Sequence, residues 1–250
     1  MIRLLLIAFL LLLIFPVLAS AAKVLSADNS HWSTARRDST GIAPDPATTP
    51  EAVVQVYAAR AFNWRGIFGV HSWIAVKPEG AERFTRYEVE GWGVSSGREA
   101  VRIGSYRPPD AYWFGNFPEM LVDIRGAEAA ALIPQIVAAA DSYPFKDRYT
   151  IWPGPNSNTF TAHVARNVPG LRLDLPPTAI GKDYRTDGIF GVAPSNTGLQ
   201  LSLFGLAGVT LALQEGVEVN LLGLTLGIDF LTPAIKLPGI GRVGFPQGPS

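Results

Sequence analysis

The sequence contains no cysteine. Disulfides, cysteine-ligated zinc, a thiol nucleophile and a lipid-modified N-terminal cysteine are therefore excluded for this chain. Histidine is scarce, with 3 residues among 250, and their scattered positions lack the ligand spacing of a zinc site. Neither sign of charge is in excess, because 21 Lys and Arg balance 21 Asp and Glu. No global field favours nucleic acid, and we expect no nucleic-acid binding.

A phosphate-binding loop is also missing. The sequence GIFGV occurs twice, beginning at Gly66 and at Gly188, but neither copy is followed by Lys-Ser/Thr or by a helix signal. We therefore expect neither a nucleotide cofactor nor a bound metal ion.

The N-terminus carries an almost unbroken apolar run. It follows Arg3, extends from Leu4 to Leu18, and is succeeded by the small residues "ASAA". This length suits both the core of a signal peptide and a short spanning helix, so residues 1–22 are interpreted as a signal peptide or a membrane anchor. The protein is accordingly expected to be periplasmic, secreted or anchored to the inner membrane.

Composition divides the remainder into three parts. Residues 23–50 are polar and punctuated by proline, which is typical of a tether or of an extended arm over the domain. Residues 51–195 carry strand and helix patterns and are expected to form the main domain. Residues 196–250 are apolar and rich in glycine, and their alternation predicts a β-rich C-terminal extension. This extension is expected to add a layer of sheet, with contact to a membrane surface as the alternative.

The main domain opens with three predicted strands, which contain "VVQVYAA", "HSWIAVK" and "FTRYEVEGW". The last two are joined by "PEGAER" as a hairpin. If Val76 lies opposite Thr85, His71 lies opposite Glu90, and a slide of two residues places Glu88 there on the same face. A carboxylate beside an imidazole fixes its tautomer, as in a catalytic triad. The alternative is that these residues only line a solvated face.

Two helices are predicted after these strands. The alanine-rich segment from Gly126 is expected to end near Asp141, with Pro134 kinking or dividing it. A second helix begins near Asn158, so Ser157 lies at or just before its first turn. Serine at this place is ordinarily an N-cap. The free N–H groups and the positive end of a helix would equally favour a nucleophile that develops negative charge.

The order of these parts resembles the circularly permuted papain-like proteins, which include the lecithin:retinol acyltransferase-like enzymes. In both, a histidine strand ("HSWIAV" here) precedes a carboxylate strand and a nucleophile at a helix start. The segment "NSNTF", residues 156–160, matches the Asn-Cys-x-x-Phe motif of that clan except that serine replaces cysteine. "WIAVKPEGAERFTRYEVEGWG" and "WPGPNSNTF" are also similar to a bacterial family recorded only as a domain of unknown function, from about Ser39 to Ala193.

The resemblance implies an α+β domain of permuted papain-like fold, with an antiparallel sheet packed against helices. It implies Ser157 as the nucleophile, His71 as the general base and Glu90 or Glu88 as the partner of that base. The backbone N–H of Ser157 is then a donor to the oxyanion, and Asn156 is a weaker candidate for the same role.

Two functions are compatible with this resemblance. The first is an envelope-facing serine hydrolase or acyltransferase that acts on an ester or amide of a lipid, lipoprotein or peptide. The second is an envelope binding module that keeps the cleft without covalent chemistry, because a site evolved for a thiolate loses most of its activity when a hydroxyl takes its place. The expected partners are the membrane, through the N-terminal segment, and a lipid or peptide substrate.

The other histidines and the tryptophans are expected to be structural. His163 lies six residues beyond Ser157 on a different helix face, and His31 lies in the tether. Most of the tryptophans are predicted to belong to the core, with one or two lining a groove beside His71. These are Trp64, Trp73, Trp92, Trp113 and Trp152.

Overall fold

A computed structural model describes residues 2–26, 31–246 and 248–249. Within this part of the chain, three α-helices and two antiparallel sheets form an α+β architecture. The helices are α1 (Ile2–Ser26), α2 (Gly126–Asp141) and α3 (Ser157–Asn167). Pro134 lies inside α2 without dividing it.

The first sheet has five strands in the order β4-β3-β2-β1-β5. Val76 pairs with Thr85 and Ile74 with Tyr87, which confirms the predicted hairpin register. The strands are β1 (Val53–Arg60), β2 (Val70–Lys77), β3 (Thr85–Val89), β4 (Val101–Gly104) and β5 (Glu119–Arg125).

Both faces of this first sheet are covered. On one face, Val56 and Ile74 pack with Ile136 of α2 and with Phe160 and Val164 of α3, all of them fully buried. On the other face, a smaller aromatic cluster is formed by Tyr57, Trp73, Phe84, Trp113 and Phe114. Successive side chains of a strand point to opposite faces. His71 and Trp73 of β2 therefore lie on the face of the sheet that points away from α2 and α3.

Part of the predicted tether lies on this domain as an arm. Its polar groups meet the buried carboxylate of Asp110, which accepts hydrogen bonds from the hydroxyls of Ser39 and Thr40 and from the backbone N–H groups of Ile42 and Ala43. Residues 39–43 thus take the second of the two predicted forms, an extended arm over the domain.

The second sheet has seven strands that follow one another as a meander. It begins at Phe190, ahead of the predicted boundary at residue 196. The strands are β6 (Phe190–Val192), β7 (Gly198–Leu203), β8 (Ala207–Ala212), β9 (Gly216–Leu221), β10 (Leu224–Asp229), β11 (Ala234–Leu237) and β12 (Gly241–Gly244).

The polarity of the second sheet is inverted. Antiparallel sheets that are covered on one side usually turn apolar residues inward and polar residues outward. Here the inward face is polar and buried, with Gln200, Thr210, Glu218, Asn220 and Lys236 at its centre. The outward face consists of apolar residues, which are Phe190, Val192, Leu199, Leu201, Leu203, Ala207, Val209, Leu211, Val217, Val219, Leu221, Leu224, Leu226, Ile228, Ile235, Leu237 and Val243.

The inward polar face is paired with charged residues of the segment 174–185. Lys236 Nζ donates to Asp174 at 2.8 Å and to Glu218 at 2.8 Å, and Lys182 Nζ donates to the other Glu218 oxygen at 2.6 Å. Asp183 accepts from the side-chain amide of Gln200. Hydrogen bonds and ion pairs therefore join this sheet to the main domain.

Helix α1 packs against the same region of the molecule. Its buried side chains, Leu13, Pro16 and Ser20, follow a spacing of three to four residues, which gives one contact face. The Ser20 hydroxyl donates to the Ile67 carbonyl at 2.8 Å, and α1 contacts β10 and β11. A Cβ added to Gly239, in the turn between β11 and β12, would lie 3.1 Å from the Val17 backbone.

Candidate functional site

The site begins with a buried histidine at the start of β2. His71 Nε2 lies 2.8 Å from Glu88 Oε2, and both side chains are buried. The imidazole also stacks on Trp113, with ring centroids 3.6 Å apart and planes 9° from parallel. A carboxylate and an aromatic face thus fix both the position and the plane of the ring.

Glu88 is held as an anion by its neighbours. Burial alone would raise the pKa of its carboxyl, but the Arg86 guanidinium, His71 and Arg107 together hold that pKa well below its ordinary range. Arg86 donates to Oε2 at 2.9 Å, and the Tyr106 hydroxyl donates to Oε1 at 2.8 Å. An ionised carboxylate only accepts hydrogen bonds, so Nε2 of His71 must be the donor in its pair.

Glu90, the other candidate partner of His71, is bound elsewhere. Extending the observed register places it opposite His71, yet its carboxylate accepts from Arg107. The contact with His71 is diagonal, from Glu88, because a long side chain reaches the neighbour two residues along an antiparallel pair. In this structure Glu88, and not Glu90, is the carboxylate on the imidazole.

The second ring nitrogen of His71 is available to the cavity. Nδ1 has no hydrogen-bond partner within the described residues, and it is not among their fully buried polar atoms. His71 lines a cavity that is described below. Since Nε2 carries the proton, neutral His71 has its lone pair on Nδ1. Burial lowers the pKa of His71, although the hydrogen bond to Glu88 acts in the opposite direction. The ring is therefore neutral at pH 7 and can accept a proton at Nδ1.

Ser157 is the first residue of α3, and it is not the cap. The cap is Asn156, whose side-chain oxygen accepts from the N–H groups of Asn158 and Thr159, while Thr159 Oγ1 accepts in return from the Asn156 N–H. Of the two alternatives for Ser157, the N-cap is therefore wrong. Ser157 Oγ makes no hydrogen bond to any described residue, and none joins it to His71.

Asn158 ties the start of α3 to the histidine strand. Its amide donates to the Val70 carbonyl at 3.0 Å and accepts from the Ser72 hydroxyl at 2.8 Å. Val70 and Ser72 flank His71 in β2. The residue after Ser157 is thus fixed to the residues on both sides of His71, which holds the two candidate groups at the same end of the sheet.

Asn156 has no free donor for an oxyanion. Its amide N–H bonds go to the carbonyls of Ile151 and Ile180, at 3.0 Å each. Gly181 allows this packing, because a Cβ there would lie 2.4 Å from Asn156 Oδ1. The backbone N–H of Ser157 has no partner in the described part of the chain and lies at the positive end of α3. Of the two predicted oxyanion donors, the structure leaves this N–H free.

Three adjoining cavities surround His71 and Ser157. The central cavity, of about 730 Å³, is lined by His71, Ser157, Trp113 and Tyr149 among others. An apolar recess of about 320 Å³ continues from Ser157 and includes Leu222, in the turn between β9 and β10. On the other side, sharing Glu90 with the central cavity, lies an arginine cavity of about 1110 Å³. Its arginines are Arg37, Arg65, Arg98, Arg102 and Arg107.

The tryptophans are divided between core and cavity. Trp73 and Trp113 are buried, whereas Trp64, Trp92 and Trp152 are about half exposed and line the central cavity. The expectation that most of them belong to the core is therefore wrong. Exposed indole rings around a cavity offer apolar area that no part of the described chain covers.

A second serine and histidine pair lies away from this cavity. Ser142 Oγ and His163 Nε2 are 3.0 Å apart, and His163 Nδ1 lies 2.8 Å from the Thr186 hydroxyl. Ser142 also donates to the Ala139 carbonyl. Among the described residues, no carboxylate is hydrogen-bonded to this imidazole, and His163 is buried. Elsewhere in the described residues, no cluster of His, Asp or Glu could hold a metal ion.

Several site residues were not predicted from the sequence. Arg86 precedes Glu88 by two residues and so shares its face of β3, a signal that alternation already contains. Tyr106 and Arg107 reach Glu88 from the loop after β4, and no local pattern marks them. The stacking of Trp113 on His71 depends on a contact between distant segments.

Comparison with known proteins finds one family. The family described as a protein of unknown function (DUF3750) matches residues 51–184, which is more than half of the chain. The match includes the five strands of the first sheet, α2 and α3, and hence His71, Glu88 and Ser157. No curated protein and no solved structure matches the chain.

Proposed function

Because the chain belongs to the DUF3750 family, whose description states no function, we propose one from the site itself. The domain is a serine hydrolase or acyltransferase that acts on an ester or amide. Ser157 is the nucleophile, His71 is the general base, and Glu88 orients and stabilises the imidazole.

One observation carries this proposal. His71 is hydrogen-bonded through Nε2 to an ionised carboxylate, while its Nδ1 is open to a cavity that Ser157 also lines. The cap of α3 is made by Asn156, so the Ser157 hydroxyl has no structural hydrogen bond to lose. A free hydroxyl, a neutral base and a fixed carboxylate are the three parts of a serine triad.

The reaction follows from these positions. Ser157 Oγ attacks the carbonyl carbon as its proton passes to His71 Nδ1, and the N–H of Ser157 donates to the oxyanion. Collapse of the tetrahedral intermediate breaks the bond to the leaving alcohol or amine, which takes the proton from Nδ1. Water or an acceptor hydroxyl then attacks the acyl-serine, with His71 again as base, and restores Ser157.

The charge state of His71 favours serine over cysteine at position 157. A thiolate nucleophile is stabilised by an imidazolium beside it, whereas a hydroxyl needs a neutral imidazole to take its proton. Burial lowers the pKa of His71, so the neutral form predominates at pH 7. The site is thus suited to a hydroxyl in the place where the resembling clan has a thiol.

The neighbouring surfaces support an apolar acyl group as part of the substrate. The apolar recess begins at Ser157 and is lined by Phe68, Ile180, Leu222 and Leu224. An acyl chain in this recess would place its carbonyl at the nucleophile. A lipid or lipoprotein ester fits this arrangement better than a polar peptide does.

The finer assignments of fold and location belong to the same proposal. Strand β2 with His71, strand β3 with Glu88 and helix α3 with Ser157 occur in the order of the permuted papain-like proteins, and α3 packs on β2 and β3. The N-terminal helix is long and apolar enough to cross a membrane. Since its Ser20 is bonded to Ile67, we assign it as a retained anchor of an envelope-facing protein.

A binding module is the second candidate. No hydrogen bond joins Ser157 Oγ to His71, which is the arrangement expected of a cleft without covalent chemistry. The arginine cavity offers such a module a site for an anionic group. The central cavity would then hold a ligand without reacting with it.

A fluorophosphonate probe tests the first candidate against the second. Wild-type protein in detergent is expected to be labelled at Ser157. Labelling should be absent from Ser157→Ala and slower by roughly 10²-fold or more in His71→Ala, since the general base is missing. Glu88→Gln is expected to lower the rate as well.

Ser142→Ala is the matched control, because Ser142 is hydrogen-bonded to a histidine outside the central cavity. Its labelling should equal that of wild type. Folded wild-type protein that remains unlabelled would support the binding module. Labelling that persists in Ser157→Ala would exclude Ser157 as the nucleophile.

A further inference from the structure

We propose that the outward face of the second sheet lies in the interfacial layer of a lipid bilayer, beside α1. The membrane contact of this protein then has two parts, one helix and one sheet. This contact does not depend on the chemistry at Ser157.

The first support is the uniform character of the face. The outward positions of β6 to β12 carry no charged and no hydrogen-bonding side chain within the described strands. Every charged residue of these strands points inward or lies at an edge, as Glu218, Lys236 and Arg242 do. Protein–protein interfaces include roughly one hydrogen bond per 100–200 Å². Hydrocarbon requires none.

The turns between the strands also expose apolar side chains. Phe204, Leu213, Leu222, Phe230 and Leu231 are more than half exposed. Phe245 after β12 is exposed as well. Large exposed apolar patches mark sites of contact with proteins or membranes.

The second support is the depth at which α1 meets the rest of the protein. Leu13 of α1 is only 3% exposed, so the body of the protein reaches this residue. Leu13 lies five residues inside the apolar run that ends at Leu18, which corresponds to about 8 Å along a helix. If α1 enters the bilayer with its apolar run, the part of the body beside Leu13 enters it too.

The parts of the body that α1 contacts are the segment Asn63–Ile67 and the second sheet. Helix α1 contacts β10 and β11, whose outward residues include Ile228 and Ile235. Helix α1 also exposes apolar side chains within one turn of Leu13, such as Leu10 and Ile14. Amphipathic surfaces that lie in the interface are buried about 5–10 Å into it, which agrees with the depth given by Leu13.

The sheet lies flat on the bilayer and does not cross it. Strands β6 and β12 are open edges, and their unpaired backbone groups could not be satisfied in the hydrocarbon core. A flat orientation keeps the edges at the level of water and headgroups. The inward polar face then points to the main domain, and Leu222 and Leu224 place the apolar recess near the lipid.

Fluorescence quenching in vesicles tests this contact with the full chain. The natural absence of cysteine allows single-cysteine labelling without background. Leu211→Cys and Ile235→Cys on the outward face carry a nitrobenzoxadiazole dye, and the protein is reconstituted into phosphatidylcholine vesicles with brominated acyl chains. Both dyes are expected to show blue-shifted emission and to lose most of it to the brominated lipid.

Two further positions serve as references. Glu82→Cys, in the exposed loop before β3, should be unquenched, and Leu11→Cys on α1 should be strongly quenched. Quenching at Leu11→Cys but only the Glu82→Cys level at both sheet positions would overturn the proposal. So would an absence of quenching at all positions. Disulfide cross-linking between two Leu211→Cys chains, without quenching, would show that a second copy covers the face instead.

Discussion

The two sheets of this protein bury side chains of opposite polarity. The first sheet buries apolar side chains such as Val56 and Ile74 against α2 and α3. The second sheet buries Glu218, Lys236 and Asn220 and leaves its leucines outside. In the first, apolar contact is the main source of stability. In the second, adhesion to the main domain depends on paired charges and hydrogen bonds.

The difference follows from what each sheet faces. The first sheet has protein on both faces, and a cluster of buried charged groups lies around Glu88 and His71. The second sheet has the main domain on one face only. A polar inner face is stable when nearly all of its polar groups have hydrogen-bond or ion-pair partners. The apolar outer face is then available for contact with lipid.

The largest effect is expected from breaking the charge network of the second sheet. Glu218 accepts from both Lys182 and Lys236, so Glu218→Ala leaves two buried ammonium groups without this partner. We expect a loss of about 3–5 kcal/mol in the free energy of unfolding, measured by urea denaturation in detergent. Glu79→Ala, at an exposed loop position, is the control and should change little. An equal, small effect of both would mean that the inner face does not depend on paired charge.

Matched truncations of apolar residues in the two sheets come next. Ile74→Ala removes a fully buried side chain and should cost about 2–5 kcal/mol. Leu201→Ala removes an outward side chain that is 47% exposed and should change the free energy of unfolding in detergent by about 0.5 kcal/mol or less. Comparable losses from the two truncations, by the same urea titration, would contradict the inverted polarity of the second sheet.

A smaller effect is expected at the start of α3, in the main domain. Gly181 has φ +100°, and Gly181→Ala would also press a Cβ against the Asn156 side chain that caps α3. We expect a loss of about 1–3 kcal/mol together with slower fluorophosphonate labelling. Gly80→Ala is matched for positive φ but meets nothing within 4 Å, so its labelling should equal that of wild type. Normal labelling in Gly181→Ala would show that the cap does not position Ser157.

The smallest effect is a difference in pH dependence between the two regions. Burial raises the pKa of Glu215, in the turn between β8 and β9, to about 7. Folded Glu215 therefore holds a proton that the unfolded chain releases, and this contribution to stability is lost as pH rises through about 7. Burial lowers the pKa of His71, so its contribution is lost as pH falls below the ordinary histidine value of about 6.5.

Unfolding free energies at several pH values check these signs. Relative to wild type, Glu215→Gln should gain stability as pH rises from about 5 to about 8, by about 1.4 kcal/mol per pH unit at most. His71→Gln should gain relative stability as pH falls over the same range. A parallel shift of the two variants with pH would refute the opposed titrations.

Much of the main domain could be predicted from the sequence, because strand alternation and turn residues are local signals. Alternation and the loop "PEGAER" predict the β2–β3 hairpin in its observed register. The choice between Glu88 and Glu90 could not be predicted, since it depends on Arg107 from a later loop that holds Glu90. The sequence leaves open which residue caps α3, because serine and asparagine both suit that position. Only the contacts of Asn156 with Ile151, Ile180 and Gly181 distinguish them.

In the second sheet, the sequence predicts the strands but not which of their two faces points inward. Alternation of Leu199, Leu201 and Leu203 with Gln200 and Ser202 indicates two faces of unlike polarity. The usual expectation turns the leucines inward. The reverse arrangement depends on Lys182, Asp183 and Asp174, which lie in an irregular segment and meet the sheet only in the folded chain.

The capping of α3 by Asn156 has a consequence for how position 157 can vary. Helix nucleation, the link to β2 and the closure against Gly181 all use residues 156, 158 and 159. The side chain at 157 contributes no hydrogen bond to any of them. Serine, cysteine or alanine at this position would be nearly interchangeable for folding, so the identity of the residue there is free to evolve with the chemistry of the site.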